Sequence, residues 1–185
     1  MKLKGIEFKV QTILSLLLYY GIAQYLPSSF KFYGIGGKVR RFLCKNIFLK
    51  MGEKVNIERK ANFGSGRGII IGNNSGLGIN CCIPSNTIIG NNVMMGPNCY
   101  ILANNHKIER LDIPMIKQGN EAPRQTIIED DCWIGRNVTM TPGRHISQGS
   151  VIGACCVLTK DFPEYSIVGG NPSKLIRSRK NKDKK

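Results

Sequence analysis

Ile71-Gly72-Asn73-Asn74-Ser75-Gly76-Leu77-Gly78-Ile79-Asn80-Cys81-Cys82-Ile83-Pro84 is the stretch that decides how this chain folds, because it repeats on a beat of six. Ile71, Leu77, Ile83, Ile89, Met95 and Ile101 stand six apart, most of them followed by glycine. Four places after each of the first five comes a small or β-branched residue: Ser75, Cys81, Thr87, Val93 and Cys99. The beat resumes at Ile128, Ile134, Met140, Ile146, Ile152 and Leu158, with Cys132, Val138, Ser150 and Cys156 in the companion slot. Only Arg144 is out of character there. A period of six belongs neither to a helix nor to a plain strand; it marks a parallel β-helix built from hexapeptides.

The period carries its own physics. Each hexapeptide supplies one short strand and one turn, and three of them close a triangular coil. The aliphatic residue points inward and stacks on its equivalents above and below. The companion slot also faces inward, near a corner where only a small side chain fits. Gly72-Asn73-Asn74, Gly90-Asn91-Asn92 and Asp130-Asp131 provide turn residues that tolerate left-handed backbone angles. One coil cannot bury its own face, so stability comes from stacking several. A β-sandwich would need period-two alternation and hairpin turns instead.

Around this body, composition narrows the function. The 185 residues suit one elongated domain with terminal arms, and 42% hydrophobic content is that of a globular chain. The net charge of +15 is unevenly spread: residues 1–50 hold nine Lys/Arg against one Glu, and residues 160–185 hold eight against three acids. The body between them is near neutral. Basic arms point to polyanionic partners, a membrane surface or a phosphorylated cofactor. Nucleic acid is disfavoured, because no nucleic-acid module and no aromatic-basic interleaving occurs. The seven cysteines are odd in number, contain no CxxC, and four of them (Cys81, Cys99, Cys132, Cys156) fill the small inward slot. They read as reduced core residues in a reducing, cytoplasmic compartment and not as metal ligands.

Towards the amino terminus, Thr12–Pro27 is strongly apolar yet shorter than the ~20 residues a membrane span needs. A signal peptide would suit Lys2, Lys4 and Lys9 before this run, but Glu7 and the odd cysteine count argue against one. The stretch reads better as a helix that caps the open end of the coil or lies in a membrane interface. Ser28 or Ser29 is available to cap the next element. Lys38–Lys50 reads as a basic amphipathic helix with Phe42, Leu43, Ile47, Phe48 and Leu49 on one side. Repeat-like spacing begins at Ile57, Phe63 and Ile69, before a two-residue shift into the main phase. The chain thus divides into a helical segment over 1–50, a repeat domain over 51–178 and a basic tail over 179–185.

The beat fails between Ala103 and Gln125, so an extruded loop over 103–126 interrupts the solenoid. Nothing in the core requires it, which makes it a candidate for function. It carries His106, in Asn104-Asn105-His106. The second histidine, His145, falls at a turn of the repeat and reads as structural.

These motifs together carry a family resemblance. The beat, the loop opening at Asn-Asn-His, Trp133-Ile134-Gly135, Pro142-Gly143, Ile152-Gly153-Ala154, Val157-Leu158-Thr159-Lys160-Asp161 and Gly170-Asn171-Pro172-Ser173-Lys174-Leu175-Ile176-Arg177 resemble the hexapeptide-repeat acyltransferases. Among them the chain is similar to sugar O-acetyltransferases, including the galactoside and maltose enzymes and those of capsule and lipopolysaccharide biosynthesis. Met94-Met95-Gly96-Pro97 and Asp112-Ile113-Pro114-Met115 point towards the polysaccharide branch. The resemblance implies a left-handed β-helix, a homotrimer, and acetyl-CoA held in a cleft between adjacent subunits. It implies His106 as catalytic base, with Asn80 and Asn105 at the sugar acceptor. It implies that Trp133, Gly135, Gly153, Ala154, Thr159, Lys160, Lys174 and Arg177 hold acetyl-CoA, the small residues admitting its pantetheine arm and the cations facing its phosphates.

This chain departs from the family pattern at Gly143-Arg144-His145, at Cys155-Cys156 and at Ser173, and none of these touches His106. The sequence-based reading is therefore an acetyl-CoA-dependent O-acetyltransferase acting on a sugar or polysaccharide precursor, with peripheral contact to the inner membrane face. N-acyl transfer on the same fold and a non-catalytic β-helical scaffold are its rivals.

Overall fold

The computed structural model describes residues 2–3, 6–7 and 10–180. Two-residue strands recur along it and pair in parallel, each with the equivalent strand one coil away. The first face stacks Lys50–Met51, Ile70–Ile71, Ile88–Ile89, Ile127–Ile128 and His145–Ile146. The second stacks Asn56–Ile57 on Gly76–Leu77, and Met94–Met95, Trp133–Ile134, Val151–Ile152 and Ser166–Gly169 above them. The third begins with bridges from Asn62 to Cys82 and from Cys82 to Tyr100, then stacks Tyr100–Ile101, Thr139–Met140 and Val157–Leu158. Pairing steps by 18 residues, from Ile70 to Ile88 and from Ile127 to His145, as three hexapeptides require. Among the described residues the chain completes five coils and begins a sixth.

The interior is the one the beat calls for. Ile57, Ile71, Leu77, Ile89, Ile134, Met140 and Ile152 are fully buried, and the companion slots Ser75, Cys81, Thr87, Val93, Cys99, Cys132, Val138, Ser150 and Cys156 are buried beside them. Burial pushes the thiols of Cys99 and Cys132 up to about 11 and raises Cys81 as well, so these sulfurs are packing atoms rather than nucleophiles. Asn74, Asn92 and Asp131 at the corner between the first and second faces, and Asn80, Asn98 and Asn137 at the next corner, all have φ between 55° and 59°. In each Asn-Asn or Asp-Asp pair it is the second residue that takes the left-handed turn.

Two expectations about the repeat need revision. Ile69 does not continue the main row: it takes the companion slot, fully buried, and Ile71 is the inward residue of that strand. The two-residue shift is absorbed at Gly64 and Gly66, both with positive φ. Arg144 does occupy a companion slot, but its side chain climbs out to the coil above. There it donates to the Thr159 carbonyl (3.0 Å) and pairs with Asp161 at 3.3 Å, while a second N–H turns back to the Pro142 carbonyl (3.4 Å) of its own coil. The strands on either side keep their register because the charge is led towards Asp161, although the Arg144 Nε is left buried without a partner among the described residues.

Two helices close the lower end. α1 (Val10–Gly21) runs on through a 3₁₀ turn at Ala23–Tyr25, and α2 covers Ile35–Ile47. The stripe Ser15, Tyr19, Ala23 is buried. The Tyr19 ring meets Phe63 of the first coil at 4.6 Å, and its hydroxyl donates to the Ala61 carbonyl at 2.8 Å. α1 is therefore a cap on the first coil, as expected of a solenoid end. α2 starts before Lys38, and its buried side is Gly36, Gly37, Arg40, Leu43, Cys44 and Ile47; Phe42 and Leu49, expected on that side, are exposed. For Phe42 the reason is Arg40, read from the sequence as one of the cationic positions but wholly buried; Leu49 lies beyond the helix, which ends at Ile47 and not at Lys50.

Arg40 fastens the cap. Its guanidinium donates to the carbonyls of Ile57 (2.6 Å), Ala23 (3.3 Å), Leu26 (3.0 Å) and Pro27 (3.1 Å), and lies 3.8 Å from the Glu58 carboxylate. Burial works against the Glu58 charge. Hydrogen bonds from Ser29 and Asn56 nevertheless hold its pKa below the ordinary 4.5. Ser29 thus serves this carboxylate, and neither Ser28 nor Ser29 caps a helix. Arg40→Ala leaves the carbonyls of Ile57, Leu26 and Pro27 without this donor and removes the cation beside the buried Glu58 carboxylate, so it should cost about 3–5 kcal/mol. A thermal melt should show a fall of roughly 10 °C or more; a shift under a few degrees would mean that the cap holds without it.

Candidate active site

The loop leaves the solenoid at the corner where the third face turns into the next first face. Cys82 to Ile88 and Thr139 to His145 cross this corner in six residues, whereas Tyr100 to Ile127 takes 27. The additional chain folds back on itself. Arg124 donates its N–H to Ala103 (3.2 Å), Glu121 donates to Asn105 (2.8 Å) and Lys107 donates to Gly119 (3.0 Å), with His106 bridging Asn120 in antiparallel fashion. His106 is thus held on a two-limbed stem. Further out, Gln118 of the single helical turn Met115–Gln118 donates to the carbonyls of Arg110 (2.7 Å) and Ile113 (3.2 Å) and steadies the tip.

The imidazole of His106 is exposed and makes no hydrogen bond or ion pair among the described residues. His145 is the opposite case: its Nε2 meets the Glu129 carboxylate at 2.7 Å, and its backbone N–H donates to Asp161 at 3.0 Å. Asn105 lends its carbonyl to the stem. Asn80 sits at the corner before the third face, its side-chain amide donating to Asn98 at 3.1 Å, and Asn98 donates to Asn137 at 3.0 Å. The third face separates that corner from the one where the loop leaves.

The residues expected to hold acetyl-CoA fall into two groups. Trp133 stands half-exposed on the outside of the second face, between Met94 and Val151. At the end of that face the backbone is bare: a Cβ on Gly135 would lie 2.6 Å from the Ala154 nitrogen, and Gly153-Ala154 forms the turn directly above. The strand Lys174–Ser178 returns antiparallel along this face, with Gly169 opposite Lys174 and Ile167 opposite Arg177. A bulge at Ile176 restores the phase, so both cations share the outer side. Trp133, Gly153, Lys174 and Arg177 are thus brought onto one surface, while Gly135 is buried beneath the Gly153-Ala154 turn and serves the stacking of the coils.

Thr159 and Lys160 lie at the other corner, on the side of the loop. Lys160 turns its amine over the Phe162 ring at 5.5 Å. Thr159 is tied back to the Lys174 strand through Ser173, whose buried hydroxyl accepts the Thr159 N–H at 3.1 Å. That contact gives Ser173, where the family commonly has alanine, a structural role.

The sequence alone missed the cationic cleft of about 290 Å³ above Val151 and Ile167, where Arg177 is joined by Arg179 and Lys180. The last two read as a basic tail; residues 181–185 of that tail lie outside the described residues. Arg179 is engaged with Asp131 at 3.3 Å and Lys180 with Glu164, while Arg177 contacts no carboxylate among the described residues. A second groove, of about 390 Å³, runs along the lower second face between Phe30, Glu58, Leu77, Met94 and Pro97. Among the described residues no His, Cys, Asp and Glu side chains gather as a metal site.

A triangular parallel β-helix with an extruded histidine loop at one corner and a glycine-lined, cationic surface at another defines an acyl-transfer class of protein. The family model for the hexapeptide repeat of succinyl-transferase matches residues 125–160. Galactoside O-acetyltransferase of Escherichia coli K12 is 32% identical over 149 residues, which is 78% of this chain and 71% of that protein. This chain belongs to the hexapeptide-repeat acetyltransferase family. A galactoside acetyltransferase solved in complex with coenzyme A superimposes with a TM-score of 0.69 at 26% identity, covering 91% of this chain and 80% of that one. Chloramphenicol acetyltransferase of Agrobacterium fabrum is 48% identical over 54 residues, 29% of this chain; the match spans about a quarter of that relative, 26% of its length.

The stem makes a separable prediction. Glu121→Pro removes the 2.8 Å hydrogen bond to Asn105, worth about 1 kcal/mol, together with the exposed Glu121–Arg124 ion pair, without touching the core. Limited proteolysis within 103–126 should accelerate roughly fivefold while the melting temperature stays within about 2 °C. Unchanged cleavage would show that the stem does not order the loop.

Proposed function

We propose that this chain is an acetyl-CoA-dependent O-acetyltransferase that acetylates a hydroxyl of a sugar or polysaccharide precursor, with His106 as general base. The observation that carries the reading is the imidazole itself: fixed by a hydrogen-bonded stem, open to solvent, and free of any partner among the described residues. A neutral imidazole can take the proton of an acceptor hydroxyl as its oxygen bonds to the acetyl carbon, and can pass that proton to the departing sulfur. Acetyl-CoA supplies the activated acyl group as a thioester. In this reading Gly153-Ala154 offers backbone for the pantetheine arm, and Lys174 and Arg177 face the phosphates; the 26% identical relative solved with coenzyme A supports coenzyme A as the acyl carrier.

Within one chain the His106 loop with Thr159 and Lys160 lies at one end of the third face, and Asn80 with the glycine-lined turn lies at the other. Two copies side by side would join these halves. This division supports a homotrimer with each site between adjacent subunits, the loop of one subunit facing the Asn80 and Gly153 corner of the next. Trp133 and Asn105 then border the cleft from opposite subunits. Cys155 is exposed and Cys82 half-buried, so not every cysteine is a core residue as expected. The five buried, unpaired thiols of Cys44, Cys81, Cys99, Cys132 and Cys156 suit a cytoplasmic location, and the basic amino-terminal arm suits peripheral membrane contact.

His106→Ala should lower turnover by ~10²–10⁴, with trimer assembly and CoA affinity nearly intact, whereas His145→Ala should retain activity. Thiol release from acetyl-CoA in the presence of candidate glycans measures both. Near-normal turnover of His106→Ala overturns the assignment, and faster release with amine acceptors would turn the reading to N-acyl transfer.

Lys174→Ala combined with Arg177→Ala should raise the KM for acetyl-CoA about three- to tenfold, since each exposed cation contributes modestly. The difference from the unsubstituted chain should shrink as salt screens the charges. Calorimetry showing unchanged CoA affinity would remove these two residues from the site.

A further inference from the structure

The cap explains only one side of the amino-terminal helices. The opposite side of α1 presents Val10, Leu14, Leu17, Leu18 and, beyond the helix, Ile22 and Tyr25, at helical spacing and all exposed, Leu17 by 65%. α1 carries no charged residue. A stripe of this kind costs solubility and contributes nothing to the solenoid. After it the chain turns through Phe30, Phe32 and Tyr33, all three exposed, with Tyr33 97% in solvent. Phe32 and Tyr33 have φ of 50° and 54° and precede Gly34 at 73°, so two bulky residues occupy the left-handed region they resist. The base of this turn is anchored where Ser29 binds Glu58. The fold therefore stores backbone strain to hold aromatic rings out where nothing in the chain receives them.

Charge decides what does receive them. Between Val10 and Lys50 there are six cations and no acidic residue, and all but the buried Arg40 are exposed. Lys38, Arg41 and Lys45 of α2 converge with Phe42 and Lys54 on one cleft, where Glu53 is the single acidic residue. A second copy of this chain seated on the same face would oppose an excess of like charge, since four cations line the cleft against the single carboxylate of Glu53. An anionic lipid surface answers both halves: acyl chains accept the stripe, headgroup level accepts amphipathic aromatic rings, and lipid phosphates accept the cations. No helix among the described residues is long and apolar enough to cross a bilayer, so the contact lies in the interface plane.

We propose that the outer side of α1, the Phe30–Tyr33 turn and the cations of α2 form one docking surface for an anionic bilayer. Phe30 also borders the groove on the second face, so docking places that groove beside the headgroups and suits an acceptor carried on a lipid. The inference rests on the peripheral location proposed above and not on acetyl transfer. Its readout is sedimentation, whereas the chemistry is read by thiol release, so either can fail alone.

The full chain is sedimented at low salt with vesicles of phosphatidylcholine alone or of equal parts phosphatidylcholine and phosphatidylglycerol. It should pellet with the anionic vesicles only, and salt should weaken that binding without abolishing it, because the apolar contact is not screened. Leu14→Glu with Leu17→Glu should reduce binding roughly tenfold or more. Phe32→Ser with Tyr33→Ser should reduce it too, and Lys38→Glu with Arg41→Glu should abolish the anionic preference. All these side chains are exposed, so melting temperatures should match the unsubstituted chain. Protein left in the supernatant at low salt overturns the proposal, as does full binding by the Leu14→Glu, Leu17→Glu variant. A vesicle-free assembly larger than a trimer that the same variant dissolves would also overturn it, since a second copy would then cover the stripe.

Discussion

Stacking of one coil on the next is the constraint on which the rest of this structure depends. A hexapeptide strand two residues long has almost no stability alone; it exists because the coils above and below complete its hydrogen bonds and cover its inward aliphatic side chain. That requirement fixes the 18-residue step, the small companion residues at the corners and the left-handed asparagines between faces. It also fixes where irregularity can go. The two residues at Gly64–Arg67 and the long insertion after Leu102 both leave the triangle at a corner, because a residue added within a strand would slip every inward side chain of the later coils.

The same constraint makes the ends of the solenoid its weak points, and the two ends are treated differently. Above, the strand Lys174–Ser178 doubles back antiparallel on Ser166–Gly169 and occupies the open edge. Below, α1 and α2 cover the first coil, fastened by a buried guanidinium that satisfies four carbonyls at once. A single Arg can do this because its donors fan out in a plane; a Lys in the same place would leave most of those carbonyls unpaired. Having used one side of each helix to close the coil, the chain leaves the other side apolar and cationic.

The division of the site follows from the triangle as well. Side chains on one face point outward in parallel columns, so Trp133, Arg177 and the glycine turn at Gly153 collect along the second face. A loop that leaves at the opposite end of the third face cannot bring His106 to them by local folding. In the proposed homotrimer the concave surface would form between copies, where two convex columns meet, and a loop long enough to leave its own coil is suited to that geometry.

Much of this was legible in the sequence. The beat alone specifies the fold class, because period six leaves one geometry in which every aliphatic residue is buried. His106 could be singled out because its loop breaks the beat for no reason of packing. Other features depended on tertiary contacts that no local pattern encodes. Arg40 reads as one more cation on an amphipathic helix until the carbonyls of Ala23, Leu26, Pro27 and Ile57 converge on it. The bulge at Ile176 that puts Lys174 and Arg177 on one side is set by the partner strand and not by the strand's own residues. α1 reads equally well as a cap or as a surface helix. Only the packed structure shows that Tyr19 serves the first role while Leu14 and Leu17 are left facing outward, since a helix has two sides and the coil can bury one.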